Sequence, residues 1–142
     1  ITHIKKIYMD ACIFCKILKK EIPNYTVYED EHVLAFLDIF PMTKGHTVVI
    51  PKVHGETICD LEDHVLEKLM VGVKNTTKKI QDALNPDGFN IGWNHHEVAG
   101  QSVPHVHVHI IPRFNGDGGK GLHGIIKKDS DTPVEELAKK FI

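Results

Sequence analysis

One long amphipathic segment constrains the fold of this 142-residue chain more than any other feature. Over residues 66–84, apolar side chains recur at steps of three and four, which is the spacing of one helix face. The pattern predicts a helix over about 61–84, with Asp60 or Asp63 as its N-cap and Asn-Pro-Asp-Gly at 85–88 as its end. About 24 residues would span roughly 36 Å, enough to cross a whole sheet.

Shorter segments with strand-like patterns surround this helix. Five of them predict strands, at 26–29, 33–38, 47–50, 89–94 and 103–112. The polar triplet Asp30-Glu31-His32 is typical of a hairpin between the first two strands. The pattern as a whole predicts an α+β fold, namely a five-stranded, mostly antiparallel sheet with the long helix and short terminal helices packed on one side.

The two ends of the chain predict the short helices. Residues 12–18 predict one or two helical turns with Ile13, Phe14 and Ile17 facing inward. A glycine-rich loop over 115–124 precedes Thr132-Pro133-Val134-Glu135, which predicts a capping box with proline at the first helical position. We expect a single domain over 1–142, with its core at about 12–113 and a loop and C-terminal helix over 114–142.

Composition excludes several classes of protein. Seventeen Lys and Arg against nineteen Asp and Glu give a net charge of −2, which lacks the basic footprint of a nucleic-acid binder. Every apolar run is far shorter than the about 20 residues of a membrane span. Three cysteines and a start without a targeting pattern predict a reducing compartment, the cytoplasm or also the nucleus.

Most of the chemistry is predicted for the segment His105-Val106-His107-Val108-His109. In a strand, alternate side chains share a face, so the three imidazoles would stand about 6.6 Å apart with the aliphatic residues in the core. Such a row suits two chemistries: ligation of a metal by His-x-His, or attack on phosphorus by a neutral imidazole. The leader Gly100-Gln101-Ser102 and Asn94 favour the second, because they offer N–H and hydroxyl donors to phosphate oxygens.

This segment and its leader resemble the signature of the histidine triad (HIT) nucleotide-binding proteins, His-φ-His-φ-His-φ-φ, where φ is apolar. The resemblance extends in order from Cys12 to Arg113. Within the family, the sequence is similar to the phosphoramidate-hydrolase, or protein kinase C inhibitor-like, branch. The other matching segments are Ile13-Phe14, Glu29-Asp30, Leu34 to Ile39 and Lys44 to Lys52. The resemblance implies a sheet with one long helix, and a homodimer with the 61–84 helix at its interface.

The resemblance also implies a role for individual residues. His107 would be the nucleophile that forms a nucleotidyl-histidine intermediate, and His46 would support the triad, whose first member is His105. The α-phosphate would be held by His109, Ser102, Asn94 and the backbone of Gly100 and Gln101. Asp38 would accept the ribose hydroxyls, and Ile39, Phe14 and Ile13 would form the slot for the base. No cofactor is implied for catalysis.

Cys12 and Cys15 form a Cys-x-x-Cys pair, a usual half-site for zinc. Resemblance to bacterial-type members of the family implies that His54 and His105 complete the set. Four protein ligands would leave no open position, so the zinc would be structural.

The activity implied is hydrolysis of the P–N bond in purine nucleoside 5′-phosphoramidates, with AMP, GMP or their phosphoramidates as ligands. The alternatives are a dinucleoside polyphosphate hydrolase, a regulatory nucleotide-binding module with vestigial activity, and a hydrolase that uses the triad as metal ligands. His-Pro-His, typical of the uridylyltransferase branch, is absent.

Overall fold

The structure of the protein is a computed structural model that describes residues 8–142. Residues 1–7 lie outside the described residues. They are most of the segment for which the sequence predicts no targeting pattern. Among the described residues, no helix is both long enough and apolar enough to cross a membrane.

Five antiparallel strands form one sheet, as predicted. They are β1 (Thr26–Glu29), β2 (Val33–Leu37), β3 (Thr47–Pro51), β4 (Gly88–Gly92) and β5 (Val108–Arg113), in the spatial order β1-β2-β3-β5-β4. The helices are α1 (Ile13–Leu18), α2 (Asp63–Leu84) and α3 (Val134–Ala138). The predicted hairpin joins β1 to β2, where the Asp30 carboxylate accepts the backbone N–H groups of His32 and Val33 at 2.7 and 2.9 Å.

The two faces of the sheet carry separate apolar clusters. Val33 and Ala35 of β2 pack with Leu69 and Val73 on the α2 side. Their neighbours Leu34 and Phe36 point the other way, toward Ile17 of α1. The prediction that the helices share one side was therefore wrong. A central strand that is apolar on both faces needs a cover on each.

Helix α2 begins later than predicted and without the expected cap. Its N-cap is Glu62, which makes no side-chain capping bond, while Asp63 lies in the first turn. Asp60 instead accepts the backbone N–H of Thr57 at 3.0 Å, across the preceding 3₁₀ turn. The end is as predicted, because Asn85 adopts the left-handed conformation that closes a helix.

The last strand is shorter at its start than the predicted 103–112. Pairing between β3 and β5 begins at Val108, opposite Val49. Before it, the N–H of Val106 donates to the carbonyl of Gly55 at 2.8 Å, so this backbone pairs with the loop after β3. Strand β4 likewise ends at Gly92, which leaves Asn94 beyond the sheet.

The C-terminal helix differs from the prediction as well. Pro133 is the N-cap of α3 rather than its first helical residue, and no side chain caps the helix. The Thr132 hydroxyl donates to Asp131 at 3.1 Å, so no capping box forms. Phe141, near the end of the chain, is 89% exposed.

Candidate active site

The three triad histidines lie beside the α1 face of the sheet but belong to two different sites. His107 and His109 line a cleft, and their ring centroids are 5.0 Å apart. The His105 ring is fully buried behind them, next to Cys12 at 3.4 Å. The alternation predicted from the sequence thus holds for Val106, Val108 and Ile110, which enter the core on the α2 side.

The cleft has a volume of about 380 Å³, within the usual range for small-molecule sites. Its lining includes the apolar side chains of Ile13, Phe14 and Ile39 together with Ser102 and the two histidines. Asp38 also lines the cleft, and its carboxylate accepts the Phe40 N–H at 2.8 Å. The cleft therefore combines an apolar surface with a few polar groups.

The protonation of the His107 ring follows from the hydrogen bond that its Nδ1 makes to the backbone. Nδ1 lies 2.7 Å from the carbonyl oxygen of His105, and a carbonyl can only accept. Nδ1 therefore carries the proton, and Nε2 keeps its lone pair. Burial lowers the pKa of His107, against the opposing charge of Asp38, so the ring is neutral at pH 7.

A chain of hydrogen bonds orients His109 in the same way. The backbone N–H of Met42 donates to Nδ1 of His46 at 3.1 Å, so the other nitrogen of His46 carries its proton. That Nε2–H donates to Nδ1 of His109 at 2.9 Å. His109 therefore holds its own proton on Nε2. Because His109 lines the cleft, this N–H is a hydrogen-bond donor at the site. Burial and the neighbouring rings of His107 and His46 together lower the pKa of His109 to about 4, against the opposing effect of the Asp38 charge.

The backbone of Gly100 and Gln101 does not have the predicted role. Their N–H groups donate within the loop, to the carbonyls of Glu97 at 2.9 Å and His96 at 3.1 Å. Gly100 has a φ of +103°, which suits glycine in this tight turn. The two amides hold the loop together and are not free for a phosphate.

The side chains of Gln101 and Asn94 also support the loop. The Gln101 amide donates to the Glu56 carbonyl at 2.7 Å, and the Asn94 amide donates to the Gly100 carbonyl at 3.3 Å. Of the residues predicted to donate from this loop, Ser102 alone lines the cleft. The loop residues position Ser102, because a polar loop must satisfy its own backbone first.

Exposure distinguishes the base slot from ordinary core packing. Ile39 is 72% exposed and Ile13 is 46% exposed, although the latter was predicted to face inward. Phe14 stands edge-on to the His107 ring, with centroids 5.1 Å apart and planes at 76°. These apolar groups lie open at the cleft, where a flat ligand could cover them.

A second constellation lies behind the triad and could hold a metal. It consists of Cys12, Cys15, His54 and His105, whose ligand atoms all lie within 4.8 Å of one another. Sulfur-to-nitrogen distances are 3.4, 3.4 and 3.6 Å, and the two Nδ1 atoms are 3.2 Å apart. A tetrahedral zinc with ordinary bond lengths requires about 3.6 Å between S and N and about 3.3 Å between two N atoms.

The His105 ring is also in the protonation state that a metal ligand needs. Its Nε2 donates to the Pro51 carbonyl at 3.1 Å, which leaves the lone pair on Nδ1 facing the thiols. The residues present therefore fit a structural zinc. A second group, Asp38, His46 and His109, is close enough to ligate, but the nitrogens that face one another are already joined by the hydrogen bond described above.

Comparison with known proteins identifies the family. The family model for the HIT domain matches residues 19–116. This chain belongs to the HIT family.

The HIT relatives cover nearly the whole chain. An uncharacterised HIT-like protein of Methanocaldococcus jannaschii is 51% identical over 127 residues, 89% of this chain and 98% of that protein. An adenosine 5′-monophosphoramidase of Schizosaccharomyces pombe is 43% identical over 135 residues, 92% of this chain and 98% of the relative. The crystal structure of a HIT family member from Bacillus subtilis has a TM-score of 0.81 at 44% identity, covering 93% of each chain.

Some residues that line the cleft of this HIT domain were not predicted. Phe40 follows Ile39 directly and is exposed, so two apolar residues after a strand end were the available signal. Asn24 and Tyr25, in the loop between α1 and β1, also line the cleft. No local pattern marks them, because only the packing of α1 on the sheet brings that loop to the site.

Proposed function

We propose that this HIT-family nucleotide hydrolase cleaves the P–N bond of purine nucleoside 5′-phosphoramidates through a covalent nucleotidyl intermediate on His107. The observation that carries the proposal is the bond from Nδ1 of His107 to the His105 carbonyl, which leaves Nε2 as a neutral nucleophile at the cleft. The yeast relatives named as adenosine 5′-monophosphoramidases support the choice of substrate class.

In the first step, Nε2 of His107 bonds to the α-phosphorus and the P–N bond breaks. The leaving amine takes up one proton from water, to which the second step returns one, and the imidazole becomes a nucleotidyl-imidazolium that keeps its Nδ1 proton. In the second step, water attacks phosphorus, the bond to His107 breaks, and a proton is released. The net reaction is hydrolysis to a nucleoside monophosphate and an amine.

The remaining residues bind and orient the substrate. The Nε2–H of His109 and the hydroxyl of Ser102 are the donors for the phosphate oxygens, where charge develops in the transition state. Asp38 uses one oxygen on the Phe40 N–H and offers the carboxylate to the ribose hydroxyls. Ile13 and Ile39 enclose the base.

The metal cluster has a structural part in this proposal. Zinc, when bound by Cys12, Cys15, His54 and His105, would close a tetrahedral site without an open position, and it would supply no group to the reaction. Two buried thiols and two neutral imidazoles are a donor set that suits zinc.

We also propose that the protein is a homodimer. Helix α2 leaves Met70 and Val71 about half exposed, and Ile91 and Trp93 at the edge strand β4 are exposed to a similar degree. Exposed apolar side chains on an edge strand and on a long helix are typical of surfaces that a second copy covers.

Quenched-flow mass spectrometry with an adenosine 5′-phosphoramidate tests the catalytic proposal. We expect a transient adduct of one AMP per chain that is absent from His107→Ala, while AMP still binds to that variant. Normal turnover by His107→Ala would contradict the proposal. A higher kcat/KM for diadenosine polyphosphates would establish the alternative hydrolase activity, and binding without turnover of either substrate would establish a regulatory module.

A further inference from the structure

Four consecutive residues at the start of α1 serve two neighbouring sites. Cys12 and Cys15 belong to the metal cluster, and the two residues between them, Ile13 and Phe14, line the nucleotide cleft. We infer that zinc binding at this cluster and nucleotide binding in the cleft are thermodynamically coupled, so that each ligand raises the affinity of the other. This inference rests on the proposed function for the identity of the nucleotide.

The first connection is helix α1 itself. It has six residues, and a helix this short depends on tertiary contacts for its stability. Cys12 is its N-cap, and the Cys12 sulfur accepts the N–H of Cys15 at 3.4 Å. Ligands that hold Cys12 and Cys15 against His54 and His105 therefore hold the N-terminal turn of α1 on the sheet.

Phe14 carries this constraint into the cleft. Its ring packs edge-on against His107 at 5.1 Å, against His105 at 5.9 Å and against Phe36 at 5.7 Å between centroids. The ring thus contacts the nucleophile, a metal ligand and the sheet at once. Displacement of the first turn of α1 would remove one wall of the slot and one neighbour of the nucleophile.

The second connection runs through His105. Its Nδ1 lies in the metal cluster, and its carbonyl oxygen accepts the Nδ1–H of His107 at 2.7 Å. Its Nε2 donates to the Pro51 carbonyl, at the end of β3. A metal that fixes the His105 ring would fix the same residue whose carbonyl orients His107, which makes the cluster a positioning device for the site.

Coupling of this kind is reciprocal, because both affinities belong to one thermodynamic cycle. Typical coupling changes an affinity by about 5–150-fold. We expect zinc to tighten AMP binding by a factor of about five or more, and saturating AMP to tighten zinc binding by the same factor. A purely structural zinc in an already ordered fold would change neither affinity.

Two titrations test the inference on the full chain. Calorimetry measures the Kd of AMP for zinc-loaded and zinc-free protein, with circular dichroism to show that both are folded. Competition with a chromogenic chelator measures the Kd of zinc with and without saturating AMP. Equal factors of about five or more support the coupling, and factors below two overturn it. Failure of zinc-loaded protein to bind AMP at all would refute the proposed function and this inference together.

Phe14→Ala distinguishes coupling through α1 from coupling through overall folding. We expect this variant to lose most of the factor by which saturating AMP tightens zinc binding, measured relative to its own zinc affinity without AMP. Retention of the full factor would overturn the inference, and Phe14→Leu repeats the test with a smaller change of volume. Cys59→Ser is the matched control, because this thiol is exposed and outside the cluster. It should keep both factors.

Discussion

Replacement of His46 tests whether the hydrogen-bond chain to His109 contributes to catalysis. His46 is almost fully buried, with Nδ1 accepting the Met42 N–H at 3.1 Å and Nε2–H donating to His109 at 2.9 Å. His46→Leu removes both bonds at similar volume. His46→Gln also leaves the Met42 N–H unpaired, but its amide nitrogen can reach the place of Nε2 and donate to His109. The difference between the two variants therefore isolates the bond to His109.

The structure sets the expected magnitudes. The lost bond from the Met42 N–H should cost both variants about 1 kcal/mol in the free energy of unfolding. The bond to His109 is worth about 1 kcal/mol, which corresponds to about a fivefold change in rate if it is lost from the transition state. We expect kcat on an adenosine phosphoramidate to be about fivefold lower for His46→Leu than for His46→Gln in steady-state assays. Equal kcat values for the two variants, at equal folded fractions by circular dichroism, would refute the role of the chain.

Three further outcomes are expected. Gly72→Ala should lower the free energy of unfolding by about 1–3 kcal/mol in urea titrations without changing kcat/KM, because its methyl group would lie 2.5 Å from Val33 on the α2 side of the sheet. An unchanged urea midpoint would contradict this prediction. Gly121→Ala is the control, because the space around Gly121 is open. The acid limb of the kcat–pH profile should lie below the ordinary histidine pKa of about 6.5, because burial keeps His109 neutral. Asp38→Asn should move that limb to lower pH, because the Asp38 charge raises the pKa of His109. A shift of the limb to higher pH would disprove its assignment to His109. Chelation of zinc present at about 100 times its Kd should lower the thermal midpoint by roughly 9 °C, reversed by added zinc, whereas an unchanged midpoint in calorimetry would exclude a bound structural metal.

The elements that were predicted correctly are those governed by neighbours in the chain. Strand β1 has the predicted bounds, and α2 ends at Leu84 with Asn85 as its C-cap, as expected. Val106, Val108 and Ile110 enter the core, as their alternation predicts. Side-chain periodicity and turn chemistry act over a few residues, so they can be read without knowledge of the fold.

Two features of the site depend on hydrogen-bond partners that the sequence pattern does not reveal, one set distant in the chain and the other within a loop. His105 lies 93 positions from Cys12 and 51 from His54, and these partners separate it from the two histidines that line the cleft. The N–H groups of Gly100 and Gln101 were expected to meet a phosphate, but carbonyls of their own loop reached them first. A donor is available to a ligand only when no nearby protein group satisfies it.

The sequence by itself determined which residue types meet at this site and that the triad follows a polar loop, because motif order and alternation are properties of the chain. Only the tertiary structure decided which nitrogen of each histidine holds its proton, and that a short helix and its N-cap bear two residues that could hold a metal and two that line the cleft. Those properties depend on contacts that form after α1, the loop at 94–102 and β5 have packed together.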